Sequence, residues 1–319
     1  MAITIKDLAR ETGLTAATIS AYFNGASVRP YNKEKIERAI DKLGYIRNDY
    51  ARALRTHRSM TVGVLIPELS NAFSTALVTE IEEAMRLKQY GVIISDCRSD
   101  PAREKEAVRF LQSKTVDGLI IMPATDSADS LSSALMKKLP VVALDRYTGS
   151  GEISHVVVSN RKASRTAVEE MLSSGKRRIA VVHGDEKLFT ARERLAGYRE
   201  AMNAAGAQTL EEFSDFTVRG GYTAVKKLFT EHPDTEGLFT TNYEMTVGAA
   251  VALKELDKEI GGDFAFTGFD GVQILHALCP GMRMVVQPVH ELGTVAAETL
   301  LAMIEGGPVR NIVLDCSLV

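Results

Sequence analysis

Several short stretches carry residue types that could do chemistry, but their spacing fits no common catalytic motif. The stretch GGDFAFTG, residues 261–268, has its glycines in the wrong order for a dinucleotide site. GKRR, residues 175–178, lacks the upstream glycine and the following Ser or Thr of a phosphate loop. The six histidines form no H-E-x-x-H motif, no G-x-S-x-G elbow occurs, and Cys97, Cys279 and Cys316 form no C-x-x-C pair. We therefore expect free thiols, no catalytic residue, no metal and no cofactor.

The stretch LTAATISAYFNG, residues 14–25, has residue types suited to contact with a partner. Its periodicity predicts a helix capped by Thr15 and ended by Asn24-Gly25, with an inner face of Ile19, Tyr22 and Phe23. The outward positions hold Ala, Thr and Ser with hardly a charge. Short hydroxyls reach phosphate oxygens or bases, and alanine can contact a thymine methyl group.

Two further helices are predicted to support this one. Thr4 and Asp7 have the spacing of a helix cap, and Gly13 ends that first helix. A third helix is predicted to open at Asn32 and to close at Gly44. Two helices joined by a tight turn and steadied by a third form the helix-turn-helix plan, whose second helix enters the DNA major groove.

We call the N-terminal segment with these three predicted helices the head and the rest of the chain the body. The head is basic, whereas the body is acidic. Residues 1–58 carry 11 Lys and Arg against 6 Asp and Glu, whereas the remaining residues carry 27 against 35, so the net charge of −3 is an average of two unlike parts. A basic head on an acidic body indicates that the head alone meets a polyanion. Chance is the alternative explanation for the small excess of basic over acidic residues in the head.

The body has the alternation of strand and helix that is typical of parallel α/β sheets. TVGVLIP, from Thr61, predicts a buried strand, which an amphipathic helix and the strand VIISD follow. RIAVVH, from Arg178, begins a second similar run with the helix RERLAGYREAMNAAG. Two similar runs predict two similar lobes.

The segments TIKDLARETGLTAATISAYFNG and KIERAIDKLGYIRNDYARALRTHRSMTVGVLIPELSNAF resemble the lactose-repressor (LacI/GalR) family of bacterial transcription regulators. The similarity covers essentially the whole chain and is most specific in the first 75 residues. It implies an α/β protein with a helix-turn-helix head and a two-lobed parallel-sheet core like that of periplasmic binding proteins. It also implies a homodimer whose heads bind a pseudo-palindromic DNA operator under the control of a small effector.

The resemblance implies the following domains. Residues 1–46 form the head, 47–60 the hinge helix and linker, 61–159 with 288–310 an N-lobe for effector binding and dimerisation, and 160–287 with 311–319 a C-lobe for effector binding. The chain would cross between the lobes near Asn160, Gln287 and Asn311.

For DNA, the resemblance implies contacts in the head from Thr4, Thr15, Ala16, Ala17, Thr18, Ser20, Ala21, Tyr22, Asn24 and Tyr45. In the hinge it implies Asn48, Ala51, Leu54 and Arg55, with Leu54 as an apolar wedge that enters the minor groove. Three of these side chains have a structural role as the alternative to DNA contact. Thr15 would only cap its helix, Tyr22 would only pack in the core, and Leu54 would be an ordinary residue of the linker. The alanines make bidentate guanine readout by this helix doubtful.

For the effector, the resemblance implies a ring of side chains around a cleft, formed by Asn71, Phe73, Asp145, Arg194, Phe216, Asn242, Asp270 and Gln287. Singly, Asp145 and Asp270 could be helix caps, Arg194 a surface ion-pair partner, and Phe73 and Phe216 core residues. Together they favour a polyhydroxyl ligand such as a sugar over a purine or an amino acid. A phosphosugar would need extra cations, for which Arg146 and Arg192 are the candidates.

A sugar-binding transport protein and a sugar-processing enzyme are the competing classes. The first residues, MAITIKDLARETG, lack the apolar core of a signal peptide, and no stretch reaches the roughly 18–20 apolar residues of a membrane span. We therefore expect a cytoplasmic regulator, most simply a repressor. Because no leucine-heptad tail follows IVLDCSLV, we expect a dimer rather than a tetramer. The effector's identity, the operator and the sign of the response are left open.

Overall fold

The computed structural model describes residues 3–23, 26–45, 58–270, 275, 277 and 279–319. The chain forms two compact units, Met1–Ser59 and Met60–Val319. Five of the expected DNA-contacting residues lie outside the described residues: Asn24, Asn48, Ala51, Leu54 and Arg55. No helix in the described part of the chain is long and apolar enough to cross a membrane.

The described residues of the first unit form three helices, α1 (Ile5–Thr12), α2 (Ala16–Phe23) and α3 (Pro30–Leu43). The predicted cap of α1 is confirmed, because the backbone N–H and the hydroxyl of Thr4 donate to Asp7 Oδ2 at 2.9 and 2.7 Å. Gly13 ends this helix with a left-handed φ of 69°, a conformation that glycine adopts without steric cost. Leu8, Ile19 and Ile36, all fully buried, form the centre of a small core.

The start of α3 differs from the prediction at Asn32. The helix begins two residues earlier, at Pro30. Proline is favoured at the first helical position, because its fixed φ suits the helix and its missing N–H would have no intrahelical partner there. The predicted end at Gly44 is confirmed, with a φ of 62°.

In the second unit, the first sheet has the order β11-β5-β4-β3-β1-β2, and every neighbouring pair is parallel. Its strands are β1 (Thr61–Ile66), β2 (Gly91–Asp96), β3 (Leu119–Ile121), β4 (Val141–Leu144), β5 (Ser154–Val158) and β11 (Asn311–Leu314). Helices α4 (Ala72–Leu87) and α11 (Val289–Ile304) cover one face, and α5 (Pro101–Ser113) and α6 (Ser132–Met136) cover the other. We call this sheet with its helices the N-lobe.

The second sheet repeats this arrangement in the order β12-β10-β9-β8-β6-β7. Its strands are β6 (Ile179–His183), β7 (Leu210–Phe213), β8 (Gly237–Thr240), β9 (Ala265–Phe269), β10 (Arg283–Val286) and β12 (Ser317–Leu318). Strand β12 is antiparallel to β10, and the other pairs are parallel. Helices α9 (Val218–Glu231) and α10 (Tyr243–Glu255) cover one face, and α7 (Asn160–Ser173) and α8 (Phe189–Ala204) the other. We call this part the C-lobe.

The described strands place three passages of the chain between the sheets: after β5, after β10 and between β11 and β12. The expectation that residues 311–319 all belong to the C-lobe is wrong for Asn311–Leu314, which pairs in parallel with β5 of the N-lobe. IVLDCSLV is therefore two strands in two sheets, and the third crossing lies at Asp315 and Cys316. An apolar run alone does not reveal which sheet will receive it, because both sheets offer the same backbone pairing.

Candidate functional site

A cavity of about 640 Å³ lies between the lobes. Residues that follow β1, β4, β8 and β9 line it, so it sits at the carboxyl ends of parallel strands, where open α/β sheets bind ligands. Seven of the eight residues predicted for the effector line this cavity: Asn71, Phe73, Asp145, Arg194, Phe216, Asn242 and Asp270. The eighth, Gln287, does not line it and instead donates a hydrogen bond to Asp270.

Asp145 and Asp270 occupy matching positions in the two lobes. Each follows the strand of its sheet directly, and each has a left-handed φ, 68° and 64°. Aspartate tolerates this conformation better than most residues. Asp145 is 6% exposed, and its Oδ1 atom has no hydrogen-bond partner among the described residues. Burial raises the pKa of Asp145, although Arg194 and Arg146 oppose this rise. Its carboxyl group is thus an unfilled acceptor on the cavity wall.

Arg194 is the buried cation of the cleft, with 5% exposure. Its guanidinium donates to Asp270 Oδ2 at 3.2 Å, to the Thr241 carbonyl at 2.8 Å and to Asn160 Oδ1 at 2.7 Å. It also lies 3.6 Å from the centre of the Phe269 ring. These contacts fix the planar group, and a fixed guanidinium can bind neighbouring ligand oxygens without losing side-chain entropy.

Glu244 joins the lobes at the cleft mouth, and the sequence reasoning missed it. It accepts from Asn71 Nδ2 of the N-lobe at 2.6 Å and from Asn242 Nδ2 of the C-lobe at 2.7 Å. Both asparagines cap helices, since their Oδ1 atoms accept from Ser74 N at 2.8 Å and Met245 N at 3.0 Å. Burial raises the pKa of Glu244, and the Asp270 and Glu68 carboxylates add to that rise.

Phe216 presents an aromatic ring to the cavity from a left-handed backbone with a φ of 63°, which is a strained conformation for a bulky residue. Its ring packs against Gly184 so closely that a Cβ added to the glycine would lie only 1.9 Å from Phe216 Cζ. Gly184 is therefore a second residue that the sequence reasoning missed. Phe73 stands on the N-lobe side of the same cavity.

Asp126 makes a second contact between the lobes. It accepts from Phe189 N at 2.8 Å and from Arg192 Nη2 at 2.9 Å, both on the C-lobe helix α8. Its loop is anchored from inside by Glu104, a fully buried carboxylate that accepts from Ala124 N and from the Ser130 hydroxyl. Burial raises the pKa of Glu104.

In the head, α2 exposes Thr15, Ala16 and Ala17, whereas the other predicted contacts on this helix are half-buried: Thr18, Ser20, Ala21 and Tyr22. Thr15 Oγ1 accepts from Thr18 N at 3.2 Å and lies 2.9 Å from Thr18 Oγ1. The predicted cap is therefore confirmed. The exposed face carries two methyl groups and hydroxyls, with no charged side chain among the residues of α2.

The two tyrosines of the predicted DNA set lie against the core of the head. Tyr22 packs on that core and donates its hydroxyl to Glu37 of α3 at 3.2 Å. Burial raises the pKa of Tyr22, and Glu37 adds to it. Tyr45 is 8% exposed, with its ring centre 5.4 Å from that of Phe23. Thr4 remains exposed, with its hydroxyl bonded to Asp7.

Both units match models of known families. Residues 4–48 match the model described as bacterial regulatory proteins, lacI family. Residues 59–314 match the model described as periplasmic binding proteins and sugar binding domain of LacI family.

Individual relatives and solved structures are similar to this chain over nearly its full length. The catabolite control protein A of Priestia megaterium is 29% identical over 305 residues, covering 94% of this chain and 92% of that protein. The ribose operon repressor of Halalkalibacterium halodurans is 29% identical over 306 residues, covering 96% and 91%. A solved structure of the lac repressor dimer bound to operator and the anti-inducer ONPF has a TM-score of 0.88 at 26% identity, covering 100% and 98%. The complex of the transcriptional regulator CelR with cellobiose has a TM-score of 0.75 at 28% identity, covering 99% and 98%.

The head and the two-lobed body thus match one family independently, over ranges that together span most of the sequence. The chain belongs to the lacI family of bacterial regulatory proteins.

Proposed function

We propose that the protein is a transcriptional repressor that binds a pseudo-palindromic operator as a homodimer and is released by a sugar bound in the cleft. One observation carries the proposal: a single chain combines a helix-turn-helix head with a cleft whose carboxylates and arginine come from two lobes. The proposal assigns binding and no chemical step to the cleft. It places the protein in the cytoplasm, where the operator lies.

The relatives support a sugar as the effector class. One relative is named for the ribose operon, and one solved relative holds cellobiose. The cleft suits such a ligand, since a flat aromatic ring, Phe216, and fixed polar groups surround the cavity. Asp145 would accept from sugar hydroxyls, and Arg194 would donate to them.

The proposed switch is a change in the closure of the lobes. A ligand that contacts Asp145 on one lobe and Arg194 on the other favours one closure angle, to the extent that it binds that state more tightly. The N-lobe follows the hinge, residues 47–60, directly in the chain. A short hinge helix is marginal in isolation, so small changes in lobe geometry would decide whether it forms on DNA.

Operator specificity is proposed to come only in part from α2. Ala16 and Ala17 on its exposed face offer methyl contacts to thymine but no bidentate hydrogen bonds. The remaining specificity would come from the spacing of half-sites and from a central bend, with Leu54 as the wedge. Changes in the central base step should then cost at least as much affinity as single changes under α2.

The deciding experiment measures operator affinity with and without sugar, for the wild type and for Arg194→Ala. A thermal-shift screen of a sugar library identifies the ligand, and gel shifts with DNA upstream of regulated genes identify the operator. Arg194→Ala should weaken sugar binding at least tenfold, about 1.4 kcal/mol, because it removes charged hydrogen bonds. It should keep operator binding but lose release by the sugar.

Arg165→Ala is the matched control, because Arg165 is an exposed arginine that pairs with Glu169 on α7. It should bind and release the operator as the wild type does. An Arg194→Ala protein that still responds normally to the sugar would remove Arg194 from the site. A wild type that binds no DNA specifically would refute the proposed function itself.

A further inference from the structure

The charges around the cavity are unbalanced. Among the described residues that line it, three are basic: Arg146, Lys187 and Arg194. Six are acidic: Glu68, Asp145, Asp185, Asp215, Glu244 and Asp270. A half-enclosed cleft lined by one sign of charge concentrates that potential, so an approaching anion meets net repulsion.

The two arginines that line the cavity each lie beside a carboxylate of the protein. Arg194 binds Asp270, Asn160 and the Thr241 carbonyl. Arg146 donates to the Pro123 carbonyl at 2.6 Å, with its Nε 3.8 Å from Asp145 Oδ2.

Arg192, the other candidate for a phosphosugar, is bonded to Asp126 and to the Glu186 carbonyl at 3.0 Å. Lys187 is exposed on the rim. A phosphate in this cleft would therefore meet arginines whose charge Asp270, Asp145 and Asp126 already compensate in part.

Two carboxyl groups that line the cavity, those of Asp145 and Glu244, favour a positive charge over an anion. Asp145 lines the cavity, and its buried Oδ1 atom has no hydrogen-bond partner among the described residues, so its carboxyl group retains capacity to accept a hydrogen bond from a ligand, whereas its negative charge repels a second anion. Glu244 is half-buried and lines the same cavity as Glu68 and Asp270, so its surroundings are already negative. A phosphate monoester would bring a further charge of about −1.5 to −2 to these groups near pH 7.

We propose that the cleft selects against anionic ligands and takes a saccharide that is neutral or carries a protonated amine, with Asp145 and Glu244 as the residues that set this selection. This inference rests on the proposed sugar-binding function of the same cleft. Asp145 supplies the acceptor for a hydroxyl or ammonium group. Glu244 excludes phosphate and carboxylate groups from the mouth.

The test uses the full-length protein and matched sets of sugars. Each set contains a parent sugar, its 2-amino derivative and its terminal phosphate: glucose, glucosamine and glucose 6-phosphate, with the same sets for galactose and mannose, and ribose with ribose 5-phosphate. Calorimetry measures the dissociation constant of each. The phosphate of any sugar that binds should bind at least tenfold more weakly than its parent, because juxtaposed like charges cost that much or more.

Two measurements distinguish a preference caused by charge from one caused by the shape of the cavity. Glu244→Gln keeps the size of the side chain and removes its charge, and it loses one of the two amide hydrogen bonds that Glu244 accepts. Because that loss affects both ligands of a pair alike, the preference for the parent sugar over its phosphate should still fall several-fold. Added salt should reduce the preference as well, because it screens charges near the surface. Glu169→Gln, which changes an exposed carboxylate paired with Arg165 outside the cavity, should leave the preference as it is.

The outcomes separate the two proposals. A sugar phosphate that binds as tightly as its parent overturns the charge selection and leaves the sugar-binding function standing. A preference that neither Glu244→Gln nor salt alters is steric, and it overturns the assignment to Glu244. If no saccharide of any charge binds while the operator still does, the sugar-binding function fails, and the selection fails with it.

Discussion

At the scale of single residues, several side chains of the cleft are carried by an unusual backbone conformation. Asp145, Phe216 and Asp270 all have a positive φ. Such residues persist only where the surrounding structure holds them, and they cluster at binding sites. At Phe216, the surrounding structure includes Gly184, since any side chain there would occupy the space of the ring.

Gly184→Ala should therefore weaken sugar binding without affecting the head. The added Cβ would come 1.9–2.4 Å from Phe216 ring atoms, so the ring must move from the cavity wall. Overpacking of this kind costs about 1–3 kcal/mol of stability. We expect a lower melting temperature, a sugar affinity reduced about tenfold or more, and unchanged operator affinity without sugar.

Gly151→Ala provides the control, because no atom of the described residues lies within 4 Å of a Cβ at that position. Calorimetry for the sugar and gel shifts for the operator compare the two variants. Equal sugar affinity in Gly184→Ala and the wild type would show that the Phe216 ring does not contact the ligand.

At the scale of elements, α2 combines two tasks at its first turn. The Thr15 hydroxyl caps the helix, and the same residue stands on the exposed face expected to meet DNA. A substitution to alanine cannot separate these tasks because it removes both.

Thr15→Asp separates them. Aspartate caps a helix at least as well as threonine, and its charge suits the positive end of the helix dipole. Head stability should therefore change by less than about 1 kcal/mol. Operator affinity should fall at least tenfold, because a carboxylate would face phosphate groups. Thermal unfolding followed by circular dichroism and gel shifts measure the two effects. Full operator affinity in this variant would place Thr15 away from the DNA.

At the scale of the whole molecule, polar contacts hold the lobes at their present separation. Asp126 contributes two of them, to Phe189 N and Arg192, and Asn71 with Glu244 contributes another. The Arg192–Asp126 pair is partly exposed, so its contribution is modest, about 0–1 kcal/mol.

Asp126→Ala should lower sugar affinity by about twofold to fivefold with little change in melting temperature, because it destabilises the arrangement in which both lobes reach the ligand. Asp129→Ala, an exposed carboxylate a few residues along the chain, is the control. Titration calorimetry measures both variants. Tighter binding in Asp126→Ala would mean that this contact opposes closure.

The pH dependence of global stability should report on His155, which is buried where β5 pairs with β11. Its Nδ1 lies 2.9 Å from Asn311 Oδ1, and its Nε2 accepts from Thr148 N at 3.2 Å. Burial lowers the pKa of His155 from its ordinary value of 6.5. The folded state therefore disfavours the proton. The contribution of the neutral ring to the free energy of unfolding is complete when the pH lies above the pKa of His155 in the unfolded chain. It is lost as the pH falls below that value.

Chemical denaturation of the wild type and of His155→Gln between pH 5 and pH 8 tests this. The wild type should lose stability relative to the variant below about pH 6.5, by up to about 1.4 kcal/mol per pH unit. The comparison with the variant is needed because three carboxyl groups have the opposite effect. Burial raises the pKa values of Glu104, Asp145 and Glu244, so these groups increase stability as the pH falls. Parallel curves for the two proteins would mean that His155 titrates normally.

Much of the fold was predictable because its signals are local. The caps of α1 and α2, the glycine that ends α3 and the alternation of strands with helices all depend on residues a few positions apart. The family resemblance added the cleft residues, and the structure brings seven of those eight together around one cavity.

The sequence by itself determined the helices of the head, the two α/β lobes and the kind of residue at the strand ends, because periodicity and capping act over short distances. Only the tertiary structure decided which residues meet. Asn71 and Glu244 are 173 positions apart, and Arg194 and Asp270 are 76 apart, so no local pattern links them. The pairing of β11 with β5 and the passage of Phe216 over Gly184 likewise follow from how the sheets pack, and the sequence contains no signal of period or spacing for either.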